Sequence, residues 1–275
     1  MRSTESRENS TMRVFWRFLG CYCRFNGYYR VRFWAEFVRD GLMMYSYYAL
    51  WSVMYDYGMG YAGATRIQLL TYGVVGGLVT TFITRDGCQR YIRERIMNGT
   101  MDADLVKPVG LQRHMLVRDL AQKLSKLIQF TIPTLIVFIV LAGMYYLPSV
   151  EKLLLFAVSL FLAYLVLFSI NYLFGLLCFI TLSVENIYFC YTAVVCFLSG
   201  QFVPLWMFPQ WAQKIITVLP FRCIYDIPMS IYIGRTGVPE AVRDLLLQMI
   251  WAFVLWVTGA VLWKSVKKRI LSQGG

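Results

Sequence analysis

Side chains able to do chemistry are scarce in this sequence, and their spacing excludes most of what they could do. Gly58, Gly60 and Gly63 match the string G-x-G-x-x-G. That string cradles a dinucleotide only between a strand and a helix, with an acidic residue roughly 20 positions on. Here it falls in a short connection between two apolar runs, so dinucleotide binding is excluded. No G-x-x-x-x-G-K-[ST] string occurs; a P-loop is absent, and any ATP that drives this chain is hydrolysed by another polypeptide. His114 is the only histidine, which rules out H-E-x-x-H and every multi-histidine metal centre. Placed in a basic loop, it is expected to be solvated. Cys21 and Cys23 form a C-x-C pair with no second pair at zinc spacing, and the seven cysteines read as small apolar side chains. The apolar runs contain Ser169, Ser183 and Ser199 but no base placed to activate one. No enzyme, no catalytic residue and no metal site is expected.

The elements that hold these residues belong to a membrane protein. Of 275 residues, 58% are hydrophobic and 15% charged, against roughly 25% charged in soluble domains, and one soluble core cannot bury that much apolar surface. A hydrocarbon layer about 30 Å thick takes roughly 20 helical residues to cross. By that measure six transmembrane helices are expected, near 33–55, 66–84, 125–147, 152–180, 186–203 and 244–263, in an all-α polytopic fold forming one domain over 33–263. Lys and Arg number seven in residues 1–32, nine in the loop 85–126 and four in the tail 264–275; the other side has six. Positive residues favour the inner face. Both termini and the loop 85–124 are therefore expected in the cytoplasm of a multi-pass cell-membrane protein, its net charge of +12 answering to membrane topology and not to nucleic acid.

Three features modify this plan. Residues 12–29 interleave Arg13, Arg17 and Arg24 with aromatic side chains, the composition of an amphipathic helix in the inner interface or of a cytoplasmic extension of the first crossing. Within that first crossing, Glu36, Arg39 and Asp40 share one helical face, an arrangement suited to a structural ion pair. In the second, Gly73 and Gly77 form G-x-x-x-G, and Gly76 and Thr80 continue the small-residue face. Such a face favours close helix packing, either inside the subunit or along a subunit junction or substrate path.

The segment 204–235 is apolar but broken by Pro204, Pro209, Pro220 and Pro228. Each proline removes a backbone donor and interrupts a helix. Two short re-entrant helices in the outer leaflet between helices 5 and 6 are expected, their backbone satisfied by protein or water. In the cytoplasmic loop, Thr100 reads as an N-cap with Asp102 and Asp104 in the first turn, and Pro108 ends a helix of about 101–106. A short capped helix carrying Met101, Leu105 and Val106 among charges suits docking into a groove on a soluble partner.

Two blocks are similar to permease subunits of ATP-binding-cassette exporters of the ABC-2 type. One is the pattern formed by Ile96, Gly99, Thr100, Asp102, Leu105, Lys107, Pro108 and Val109; the other is SGQFVPLWMFPQWAQKIITVLPF, from Ser199 to Phe221. The resemblance implies two permease subunits, identical or related, embedded in membrane lipids. Each engages an ATPase subunit that binds ATP and Mg, cofactors this chain does not hold. It further implies coupling contacts at Arg93, Glu94, Met97, Thr100, Met101, Asp102, Leu105, Lys107 and Pro108, and an outer gate shaped by Pro204, Pro209 and Pro220. With no strong charge along the membrane runs, an amphiphilic or apolar cargo, cationic through aromatic contacts, fits better than a polyanion. The alternative is a carrier or channel that needs no nucleotide.

Overall fold

The computed structural model describes residues 15–23, 30–59, 65–84, 87–101, 104, 110–142, 148–179 and 185–273. Among them the chain is predominantly helical, with no strand. Helix α1 covers 15–23, α2 Arg30–Met54 and α3 Arg66–Thr84. Helix α4, Cys88–Met97, precedes α5, Leu111–Lys126, which continues through a π-helical turn, Leu127–Thr131, into α6, Ile132–Ala142. Then come α7, Val150–Leu177, and α8, Glu185–Leu198. Two short helices come next, α9, Gln210–Ile216, and α10, Asp226–Tyr232. Helix α11 closes the chain at Val238–Gln273.

Two helices are long and apolar enough to cross a membrane by length and composition: α7, and α11 over Val238–Lys267. They pack along each other. Gly259 on α11 lets the pair approach, because a Cβ there would stand 3.1 Å from the Tyr172 ring. Gln248 bridges the same pair. Its side chain is fully buried, accepts from the Ser159 hydroxyl at 3.0 Å and donates to the Cys223 carbonyl at 2.8 Å. A buried amide so satisfied fixes register as well as proximity.

Helices α2 and α3 form a second pair, and the small-residue face of α3 is taken up by it. Gly73 lies under the Trp51 ring and Gly77 against Tyr47 and Met44, while Gly76 meets the Tyr225 hydroxyl. Thr80 is buried on the same face. Gly73, Gly76 and Gly77 are therefore covered by α2 and the 224–225 turn of this chain, an arrangement that matches packing inside the subunit, one of the two readings of this face. On α2, Arg39 pairs with Glu36 and, at 3.1 Å, with Asp40.

Three element boundaries differ from expectation. The helix over 125–147 begins at Leu111, because its polar first half finds partners on α1, α4 and α7. The helix expected at 244–263 begins at Val238 and runs to Gln273; the basic tail 264–275 is its continuation through Gln273. At about 1.5 Å per residue such a helix is roughly 54 Å long, far more than a bilayer core needs. The run over 186–203 stops at Leu198, where Gly200 takes a φ of +87°.

Candidate functional site

Helix α4 leans on α7 through glycine. A Cβ at Gly175 would stand 2.9 Å from the Ile92 side chain and 3.2 Å from the backbone of Gln89, and Ile92 is fully buried there. The C-terminus of α4 is a Schellman motif: the Gly99 amide donates to the Ile96 carbonyl and the Thr100 amide to the Arg95 carbonyl, with Gly99 at φ +63°. The motif turns the chain back at once, and Met101, just past it, is buried.

The inward turn delivers Asp104 to a buried node. Its side chain is 0% exposed and accepts from the Tyr91 hydroxyl at 2.9 Å, with Arg95 at 3.5 Å and His114 at 3.9 Å. Arg95 donates in turn to Tyr91 at 2.8 Å, and Arg118 covers the Tyr91 ring, 3.3 Å from its centroid. Helix α1 is tied into the same node: Phe18 packs against His114, and Arg118 donates to Tyr22 at 3.1 Å. Farther along, Gln129 donates to the Cys23 carbonyl. Helices α1, α4 and α5 thus form one unit, and His114 is a buried member of it, which corrects its expected solvation. Elsewhere on α5, Asp119 accepts from Tyr164 at 3.0 Å. Burial raises its carboxyl above the ordinary value, and the nearby Lys123 charge opposes the shift.

The outward part of α4 is a ridge. Arg90 and Glu94 pair at 3.1 Å along the surface, Met97 is 59% exposed, and Asn98 and Thr100 are exposed beside it, with Arg93 half-buried. Between the ridge and α5 lies a cavity of ≈ 210 Å³ lined by Tyr91, Met115, Arg118 and Asp119 among others. Of the residues implied as coupling contacts, Arg93, Glu94, Met97 and Thr100 gather on or beside this ridge. Met101 does not: it is 6% exposed and sits in the main apolar core. Asp102, Leu105, Lys107 and Pro108 lie outside the described residues.

The proline-broken segment builds a second polar centre. Pro204 precedes a 3-10 turn, Leu205–Met207; Pro209 precedes α9; Pro220 opens another 3-10 turn, Pro220–Cys223. Each proline thus stands where a helix begins and its missing N–H costs nothing. Pro204 and Pro220 are buried and Pro209 is exposed. The centre is Arg222, which donates to Asp226 at 3.0 Å and to Asp244 at 3.3 Å. Both carboxylates are buried. Tyr72 donates to the Gly200 carbonyl at 2.6 Å, holding α3 to the start of this segment, and Arg235 lies over the Trp206 ring at 4.2 Å.

Sequence reasoning missed both polar centres. The i, i+4 spacings of Tyr91 and Arg95, His114 and Arg118, and Arg222 and Asp226 were the available signals; Asp104 and Asp244 carried none, because their partners come from other elements. Among the described residues no cluster of His, Cys, Asp and Glu is arranged to hold a metal ion.

The model of the ABC-2 family transporter proteins matches residues 42–274. None of the curated proteins matches the chain. With a match that spans nearly all of the helical body, from α2 to the end of α11, this chain belongs to the ABC-2 transporter family, as a membrane component that works with an ABC ATPase and is not itself one.

Proposed function

We propose that this chain is the transmembrane permease subunit of an ATP-driven exporter and engages its ATPase through the exposed ridge of α4. Six crossings are assigned to α2, α3, the second half of the 111–142 helix, α7, α8 and α11. Both termini lie in the cytoplasm of a multi-pass protein of the cell membrane. Helix α1 lies along the inner interface, within the cytoplasmic amino-terminal segment, and 204–235 forms the outer re-entrant segment and gate. A second permease subunit, identical or related, completes the path, and ATP and Mg bind to the ATPase.

One observation carries the reading. Arg90, Glu94 and Met97 stand outward on a helix whose opposite side is locked by Asp104, Tyr91, Arg95 and Ile92, in the loop richest in Lys and Arg. A rigidly backed ridge transmits a push; a loose one absorbs it. Asp102, Leu105, Lys107 and Pro108 extend the contact in this proposal.

The test is co-purification from native membranes. Glu94→Arg with Met97→Asp alters exposed side chains only, so stability shifts by no more than about 0.5 kcal/mol per site, while the ATPase is lost from the purified complex. Full recovery of the ATPase with the double variant overturns the coupling assignment. Flux by the purified chain in liposomes, driven by an ion gradient without nucleotide, overturns the exporter and leaves a self-sufficient carrier or channel.

A further inference from the structure

The proline-broken segment encloses a cavity of ≈ 260 Å³ whose lining includes Trp206, Gln213, Arg222, Asp226, Arg235 and Thr236. Three features separate it from a packing defect. Two of its lining residues carry buried polar atoms that lack a hydrogen-bond partner, the Trp206 Nε1 and the Thr236 Oγ1; a buried donor left so costs stability unless something supplies an acceptor. Its charges are fixed in position: Arg222 is held by Asp226 and Asp244, and the Arg235 guanidinium lies over the Trp206 ring. The walls are braced, because Gln213 donates to the carbonyls of Phe208 and Trp206 and so pins the 3-10 turn to α9.

Helix α9 sets the depth of this cavity. Gln213 and Thr217, four residues apart, line it. On the opposite side of this helix and the turn that follows it, Trp211, Ile215 and Val218 are 69%, 58% and 67% exposed. A helix with an outward tryptophan and aliphatic stripe and an exposed lysine, Lys214, at its end lies at a membrane interface. The cavity behind it is thereby placed at the level of lipid headgroups.

We infer that this cavity binds the phosphodiester group of a membrane phospholipid. Phosphate oxygens are the acceptors that satisfy the indole N–H and the threonine hydroxyl, and the Arg235 guanidinium beside them supplies positive charge. A cationic headgroup nitrogen meets Asp226 across the same space. The inference rests on the proposed topology only for the leaflet, which is the outer one. A bound headgroup wedged among the 3-10 turn at Leu205–Met207, α9 and α10 couples the packing of this segment to the lipid around it.

The full-length chain, purified in detergent and stripped of lipid, is titrated with phosphatidylethanolamine, with diacylglycerol, and with inorganic phosphate, and bound species are counted by native mass spectrometry. The phospholipid binds at least tenfold more tightly than diacylglycerol, and inorganic phosphate binds more weakly still. Arg235→Gln loses about tenfold, the size of one charge-assisted contact. Thr236→Val and Trp206→Phe each lose several-fold, the second keeping the ring that Arg235 covers. Thr236→Val guards against misfolding of the tryptophan variant, since it removes one hydroxyl at constant shape. Equal binding of the two lipids, or unchanged binding in all three variants, overturns the proposal. Inorganic phosphate binding as tightly as the phospholipid also overturns it, replacing a lipid site with a soluble-anion site. ATPase co-purification is scored on the same preparations, so a failure of the exporter reading is seen separately.

Discussion

The two polar centres of this molecule solve the same problem in opposite ways. At the node that joins α1, α4 and α5 the central group is a buried carboxylate, Asp104, surrounded by cationic and hydroxyl partners. One of them reaches the surface: Arg95 is about one-third exposed. In the 204–244 segment two buried carboxylates, Asp226 and Asp244, share one half-buried guanidinium, Arg222. In the first centre one buried charge has several partners; in the second, two buried charges depend on one.

The largest expected effect comes from that asymmetry. Arg222→Met strands Asp226 and Asp244, and breaking a buried ion pair by removing one partner costs about 3–5 kcal/mol. Loss of monodisperse protein on size exclusion, or a collapse of its melting transition in detergent, reports this; a normal melt shows that the cluster is open to water. Asp104→Ala is milder, about 1–3 kcal/mol for a buried acceptor whose partners can turn to solvent. It nevertheless abolishes ATPase recovery by freeing α4 from α5. Should Asp104→Ala melt as low as Arg222→Met, the contrast between the two centres fails.

Asp119 sharpens the comparison, being a buried carboxyl raised by desolvation beside Lys123. A carboxyl whose folded value is raised costs stability as pH rises from the ordinary carboxylate range to its folded value. The melting transition is therefore expected to fall over that window, and Asp119→Asn flattens the fall while keeping an acceptor for Tyr164. Because Asn removes a negative charge that faces the buried Lys123, the single variant is less stable at neutral pH, and Asp119→Asn with Lys123→Met recovers part of the loss. Additive losses in the double variant show that the two charges do not interact.

The membrane character and the helix between 66 and 84 were legible from composition and length because they depend on summed apolarity, which every residue reports. The start of α5 was not. His114, Asp119 and Lys123 mark a soluble loop by type, and only the partners of this stretch on α1, α4 and α7 make a helix of it. Met101 shows the same limit on a finer scale: its apolar side chain suits docking and core equally, and the Schellman turn at Gly99, set by one backbone angle, decides for the core. The small-residue face of α3 was legible as a packing face, while its partners, Trp51 on one side and Tyr225 on the other, stand 22 and 149 residues from Gly73 and Gly76. No local pattern encodes such pairs.

The smallest effect tests that turn directly. Gly99 has open space around its Cα but a φ of +63°, so Gly99→Ala meets no neighbour and incurs only the left-handed backbone penalty, roughly 1–2 kcal/mol. Gly200 has φ +87° and, in addition, Leu205 at 3.1 Å and the Tyr72 hydroxyl at 3.4 Å from a built Cβ, so Gly200→Ala adds steric crowding to the same penalty and is the more damaging. Gly99→Asn is the discriminating control, since asparagine tolerates the left-handed region. It should restore the melting transition nearly to that of the parent and, with it, ATPase recovery. If Gly99→Asn melts normally but recovers no ATPase, the Asn side chain blocks a contact, and the turn itself is part of the docking surface; if both alanine variants are silent, neither turn holds its region in place.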